Sequence, residues 1–439
     1  MSRLLAPVLA VLLLPAPRLD ADDEKLAKRA DQLTSQLVKN LEDLAKKYDG
    51  LSDPEAAHFL ASCAVGFGSK DTKVAGIKGS REVDLFVGKL RGGEQLADAN
   101  PIDTALRGIA FESKKLLDSL LPQLKKGDLT AVAKSIIHDL VPKYEIARGA
   151  EEYIQATQRF NKLRRAMGLR AILWDFEKSR ELILACWYMG ETGDFRSEGT
   201  SDTLSPLYSA GVEVGKIRCS GMVFRTLKDL PEDIRAYALV RQDLLNPDAR
   251  QLWLAHWAGG KKINPMCLYA IPQVGFRSDI PTPSQRYSRE TVVEKWPDWK
   301  DTEDTVAIEG IKVPVVRYPH DGESDAPLVF SDGRGAMESG WAASEHPFLA
   351  KAGIPIMLRV FTTGKISDVS VTLSTTSRRD IPTRLYLGDK GVSFAGEWVT
   401  LLALPEAKLD PGVEYTVQMN GKVKGTLVER SWSFKTRLK

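Results

Sequence analysis

The densest group of potentially reactive side chains lies in SDGRGAMESGWAASEHPF, residues 331–348, where Ser344, His346 and either Asp332 or Glu338 fall close together. Those types could serve as nucleophile, base and orienting acid, because a serine hydroxyl attacks only when a neighbouring imidazole takes its proton. Their setting points elsewhere. A Gly- and Ser-rich stretch ahead of strand-like runs reads more simply as polar loop residues at the start of a β-strand. His58 and His138 stand inside helix-like sequence without a partner nearby along the chain, and read as solvated or capping groups. GFGS at 66–69 has half of a dinucleotide-binding fingerprint, but it follows a helical pattern and lacks the third glycine. The sequence contains no GxSxG elbow, HExxH pair, Walker loop or EF-hand loop. Cys63, Cys186, Cys219 and Cys267 include no CxxC pair, which excludes a zinc ribbon or dithiol motif. Their pairing is open, and small buried hydrophobes are as good a reading of them as disulfides.

The elements that would position such groups divide the 439 residues into regions, as expected of a chain too long for one ordinary core. A composition 43% hydrophobic and 27% charged is that of a folded globular protein, not a disordered or membrane-embedded one. With a net charge of +3 and no basic block interleaved with aromatics, nucleic acid is not an expected partner. Arg3 and the apolar run Leu4 to Leu14 have the form of a signal peptide over residues 1–21, with cleavage expected near Ala21. That run is shorter than the roughly 20 apolar residues of a membrane span. The expected location is therefore secreted, extracellular or periplasmic, with no membrane anchor beyond the signal peptide.

Residues 22–147 read as helical. Leu26, Leu33, Leu37, Leu41, Leu44 and Tyr48 recur at spacings that share one helix face, and Ser52-Asp53-Pro54 is a cap-and-proline start for a second helix. Residues 66–80 read as a loop, with further helices expected around 102–125 and from Asp128 onward. Residues 148–277 mix helices with extended runs at 215–227 and 266–276, and residues 278–308 have the Pro- and charge-rich composition of a linker. Residues 309–439 alternate in short runs with turn signals about every ten residues, the pattern of a β-sandwich. Within them LDPGVEYTV, residues 409–417, is a corner sequence in which Tyr415 should hydrogen-bond back to the backbone. The fold class expected is multidomain α+β.

The segment Phe160–Asp194 adds a resemblance. Asn161-x-x-Arg164, Gly168-Leu169 and Leu173-Trp174-Asp175, followed by an Ala-containing amphipathic helix, resemble the first helix of CAP (cysteine-rich secretory, antigen 5, pathogenesis-related) domains of bacterial exported type. RSEG at 196–199, YSAGVEVG at 208–215, VRQDLLNPD at 240–248 and CLYAI at 267–271 follow in the family's order. VRYPHDGESDAP at 316–327 and the ending WSFKTR resemble the immunoglobulin-like module that accompanies such domains. The resemblance implies an α/β/α sandwich whose cavity, in family members, is lined by two histidines and two glutamates able to hold a divalent metal. Carried across, Glu198 and Glu213 are the two carboxylates and the weak candidate binding residues. Arg196 and Val240 stand at the histidine positions, and neither can ligate a metal. The implied domain is degenerate: it calls for no metal, no cofactor and no catalytic residue. The leading expectation is an exported non-enzymatic binding protein whose partner is a protein, a lipid-like molecule or a cell-surface polymer. A hydrolase acting on a protein or cell-wall polymer is the alternative, and a structural spacer or adhesion protein a further one.

Overall fold

The Leu33, Leu37, Leu41, Leu44, Tyr48 stripe forms the buried side of helix α1, Ala21–Gly50. The computed structural model describes residues 21–51, 53–77, 101–126, 131–167, 169, 171–193, 221–223, 227, 251–262, 266–270, 304–328, 352–360, 362, 366–378, 380–386 and 399–438. Asp53 starts α2, Pro54–Gly66, as the sequence implies: its carboxylate accepts the Ala56 N–H at 3.0 Å, and Pro54 sits in the first turn, where a missing N–H costs nothing. The expected loop after it contains a single helical turn, α3, Thr72–Ala75, capped by Asp71.

Two long helices follow, α4, Pro101–Lys126, and α5, Ala131–Ala166. α5 bends at Gly149, whose φ of −126° and ψ of 16° interrupt the helical ladder. The Asp103 carboxylate of α4 accepts the Glu151 N–H just past that bend, so the break costs no orphaned donor there. The division at residues 147/148 falls inside α5, beside this bend. One hydrophobic cluster runs across it, taking in Leu37, Phe59, Tyr153, Trp174, Trp187 and Trp257.

The chain then forms β1, Leu173–Trp174, α6, Phe176–Thr192, β2, Gly221–Val223, β3, Gln251–Trp257, and β4, Met266–Ala270. These strands make one sheet in the order β1-β3-β4-β2, with β1 parallel to β3 and the other pairs antiparallel. Because β1 is so short, β3 has an open edge beyond Leu252. Side chains close it: Ser179 Oγ accepts the Leu254 N–H at 3.0 Å, Trp174 Nε1 donates to Leu254 O at 3.2 Å, and Tyr153 Oη accepts the His256 N–H at 2.8 Å. A buried sheet edge left unpaired would cost about 1–3 kcal/mol per polar group.

The C-terminal region is built from two sheets around a second core. One comprises β5, Thr305–Ile308, β6, Ile311–Tyr318, β8, Ile356–Val360, β10, Thr383–Tyr386, and β11, Val399–Pro405, in the order β10-β11-β8-β6-β5. The other comprises β7, Glu323–Ala326, β9, Ile366–Ser374, β12, Glu414–Val423, and β13, Thr426–Thr436, in the order β7-β13-β12-β9. Lys424-Gly425, with φ of 49° and 78°, joins β12 to β13, and Glu309-Gly310, with φ of 51° and 80°, joins β5 to β6. Positive φ at both loop residues is the hairpin geometry that matches strand twist, and glycine supplies the second position without strain. Along β12 the inward residues Tyr415, Val417, Met419 and Val423 alternate with more exposed neighbours. The Tyr415 hydroxyl accepts the Asp410 N–H at 2.8 Å, which is the backbone contact expected of the corner. At the α5 end Leu163, Met167 and Leu169 pack into this second core. Both regions together make a mixed α+β protein. Among the described residues no helix is long and apolar enough to cross a membrane.

Tyr415→Phe removes that one hydrogen bond while keeping the ring stacked on Phe434, so the urea-induced transition of the β region should weaken by about 1 kcal/mol with far-UV circular dichroism of the native protein unchanged.

Candidate functional site

The most informative polar group in the core is an amide. Asn161, on the last turns of α5, is fully buried, and its Nδ2 donates to Glu55 Oε1 at 2.7 Å and to Ile172 O at 3.0 Å. Its Oδ1 accepts the Ile172 N–H at 2.8 Å. One side chain thus ties α2 to the strand entering β1. The Asp175 N–H, donating to Leu252 O at 3.0 Å, continues the tie into β3.

With β1 held there, residues 173–177 lie beside the later turns of α2, and a cavity of about 550 Å³ opens between them. Its apolar wall includes Val65, Val74, Ile77, Leu173, Trp174 and Phe176. Phe176 meets α2 at Gly66, where any β-carbon would collide with the ring. The polar groups on the wall are His58, Ser62, Asp175, Glu177 and Gln251. His58 and Ser62 are one helical turn apart, and the imidazole Nε2 is 3.3 Å from the hydroxyl. Burial lowers the His58 pKa, and the nearby Asp175 carboxylate recovers part of that shift. The imidazole is therefore neutral at pH 7 and offers one donor and one acceptor. The lining is mixed and the cavity is a half-open cleft; clefts with apolar walls and a few placed polar groups are where small molecules usually bind.

A second buried polar group is closed to ligands. Glu145, with no exposed surface, is paired with Arg148, whose Nη2 is 2.7 Å from Oε1, and His256 Nδ1 is 3.2 Å from the same oxygen. Arg148 Nη2 also lies 2.9 Å from His256 Nδ1. A guanidinium only donates and a carboxylate only accepts, so Nδ1 can satisfy one of the two contacts at a time. Burial alone would raise the Glu145 pKa, but Arg148 and His256 outweigh it and hold the carboxyl below its ordinary range. His256 sits in β3 among core residues and not in an open site.

Across α1, α2, α4 and α5 a third group collects Tyr48, Asp53, Asp103 and Glu151. Burial raises all four pKa values, and Glu151 is raised further by Asp103 and Asp53. The Tyr48 phenol is pushed up to about 12. Gln158 and Gln155 soften the group by donating to Asp53 and Glu151 at 3.2 and 2.9 Å. Among the described residues no group of three or more His, Cys, Asp or Glu is placed to hold a metal ion. Cys63 and Cys186 are buried within the first core, and burial holds the Cys63 thiol well above its ordinary pKa.

Glu198, Glu213, Arg196 and Val240 lie outside the described residues, as does the Ser344/His346 stretch. The residues that converge on the cavity are others. His58 is half-buried and faces a cavity, where solvation or capping was the expectation. The i, i+4 spacing of His58 and Ser62 was visible in the sequence. That Asp175 comes near His58 and Glu177 reaches the same cavity was not, because nothing local records a contact so distant along the chain. Compared with known proteins, the chain matches no family model, no curated protein and no solved structure.

Two outcomes follow from these networks. Asn161→Leu strands the Ile172 N–H and carbonyl and removes one donor from Glu55, and should destabilise the protein by about 3 kcal/mol in chemical denaturation. For Asp53, Asp103 and Glu151 the folded pKa values lie above the unfolded ones, so the folded state binds more protons. Their stabilisation is fully present below the unfolded carboxylate pKa and is lost as pH rises through the raised values. Glu151→Gln should therefore stabilise the helical region at pH 7.5, with the gain shrinking toward pH 4.5, as read by denaturant titrations at both pH values.

Proposed function

We propose that this chain is an exported, non-enzymatic binding protein built on a CAP-like domain, and that it takes up a small, largely apolar molecule in the cavity between α2 and the β1–α6 junction. The observation that carries the reading is the cavity itself. About 550 Å³ of space is walled by Val65, Val74, Ile77, Leu173, Trp174 and Phe176, with its hydrogen-bonding groups confined to a few positions. In this reading the apolar wall supplies affinity through area removed from water, and His58, Ser62 and Asp175 orient the ligand. The form of residues 1–21 supports export. The C-terminal sandwich, taken as immunoglobulin-like, would carry contacts to a protein or surface polymer. Arg196 and Val240 at the family's histidine positions support a domain that works without metal.

A hydrolase reading keeps one observation in its favour, the 3.3 Å contact of Ser62 Oγ with a neutral imidazole beside Asp175. Substitution of Ser62 by Ala separates the two: it abolishes turnover in a hydrolase and leaves apolar binding nearly intact in a binding protein.

Val65 is 44% exposed at the cavity wall, so a larger side chain there obstructs the space without entering the core. Val65→Trp should leave the melting temperature close to that of the parent and weaken binding of the neutral dye Nile red at least tenfold by fluorescence titration. Unchanged dye binding would remove the cavity as the site.

A further inference from the structure

One contact in the cavity wall fixes how much space the cavity offers. We infer that Phe176, seated on the bare backbone of Gly66, sets the size limit of the ligand, so that the pair selects among members of a homologous series by length. This rests on the binding reading above and specifies which small molecules the site accepts.

The Phe176 ring occupies the place where a side chain on residue 66, the last of α2, would begin. A β-carbon on Gly66 would stand 1.9 Å from Phe176 Cδ1 and 2.2 Å from Cε1. Carbons at rest against each other are about 3.5–4 Å apart. Cγ would be only 2.8 Å away, so turning the ring about its own axis brings no relief and the whole side chain must move. Two further rings meet Phe176 edge-on, Phe67 with centroids 4.6 Å apart at 76° and Trp174 at 5.9 Å and 65°. Edge-to-face contact is a favoured geometry for aromatic pairs, and these two hold the ring in one orientation. At 5% exposed the ring is a packed wall. Gly66, Trp174 and Phe176 all line the cavity, so the position of the ring is the position of that wall.

Protein interiors are close-packed, and a ring clamped in this way yields toward the space that is empty. A methyl group on residue 66 therefore drives the ring into the cavity. Trimming the ring has the opposite sign: the volume it leaves joins the cavity, because surrounding groups relax only in part. The two residues act on one dimension from opposite directions.

The experiment is calorimetric titration of the full chain with the straight-chain alcohols from butanol to decanol. In the parent, affinity should rise about fourfold per methylene, as about 0.8 kcal/mol per buried CH2 implies, and stop rising once the chain outgrows the cavity. The alcohol at which it stops is the readout. Phe176→Leu should move that point to a longer alcohol, and Gly66→Ala to a shorter one. The double variant Gly66→Ala, Phe176→Leu should return it toward the parent, since the added methyl group no longer meets a ring, a non-additivity expected of residues in contact. Gly108→Ala adds the same methyl group on α4 where nothing lies within 4 Å, and should leave the point unmoved. Melting temperatures report folding, and if Phe176→Leu does not fold, Gly66→Ala against Gly108→Ala still decides the matter. If the point is the same in every folded variant, or if the parent affinity climbs through the whole series, cavity binding stands and the size limit at Phe176 is overturned. If the parent binds no alcohol, the cavity reading falls, and the size limit with it.

Discussion

The amide of Asn161 is the constraint from which the central architecture follows. A buried Asn must find partners for both ends of its amide, and here the partners are the backbone of Ile172 and the carboxylate of Glu55. That requirement places β1 at one height against α2. Trp174 then reaches Leu254 O, Phe176 meets the bare backbone of Gly66, and Asp175 comes near His58. The cavity is what remains between two elements held apart and in register by one side chain. An apolar residue at 161 would fill the same volume but specify no such position.

Polar burial is distributed around the same helix. The bend at Gly149 separates two regimes: toward its N-terminal side Glu145 is neutralised by Arg148, and just past it Glu151 faces Asp53 and Asp103 with like charge. The first arrangement contributes stability above the unfolded carboxylate range and loses it as pH falls, because the Glu145 pKa is lowered. The second has the opposite dependence. α5 therefore joins two halves whose electrostatic preferences oppose each other. It also joins two cores, since Tyr153 and Phe160 pack with the helices and Leu163 and Met167 with the β region.

Much of this could be read locally. The α1 stripe, the Asp53-Pro54 start of α2 and the short alternating runs that became β8 to β13 all depend on periods and turn chemistry internal to each segment. Tyr415 was legible for the same reason: its partner, Asp410, lies within the same corner. The one-turn α3 inside an expected loop and the unbroken passage of α5 through residue 147 were not, because a single cap or a kink at Gly149 leaves too little periodic signal. The cavity was less legible still. His58 and Ser62 announce a shared helix face, but what that face meets is set by contacts that cross the chain.

The sequence by itself determined the kinds and approximate extents of the elements, the cap of α2, the tyrosine corner and the mixed α+β class. Each of these is fixed by side-chain period, backbone preference or a hydrogen bond that closes within a few residues. Only the tertiary structure decided that α2 and the β1–α6 junction flank an open cavity, that Glu145 is buried against Arg148 and His256, and that β3 has its open edge closed by Tyr153, Trp174 and Ser179. Those are matters of packing and of satisfying buried polar groups between distant segments, and no local pattern of residues encodes which segment will arrive to do it.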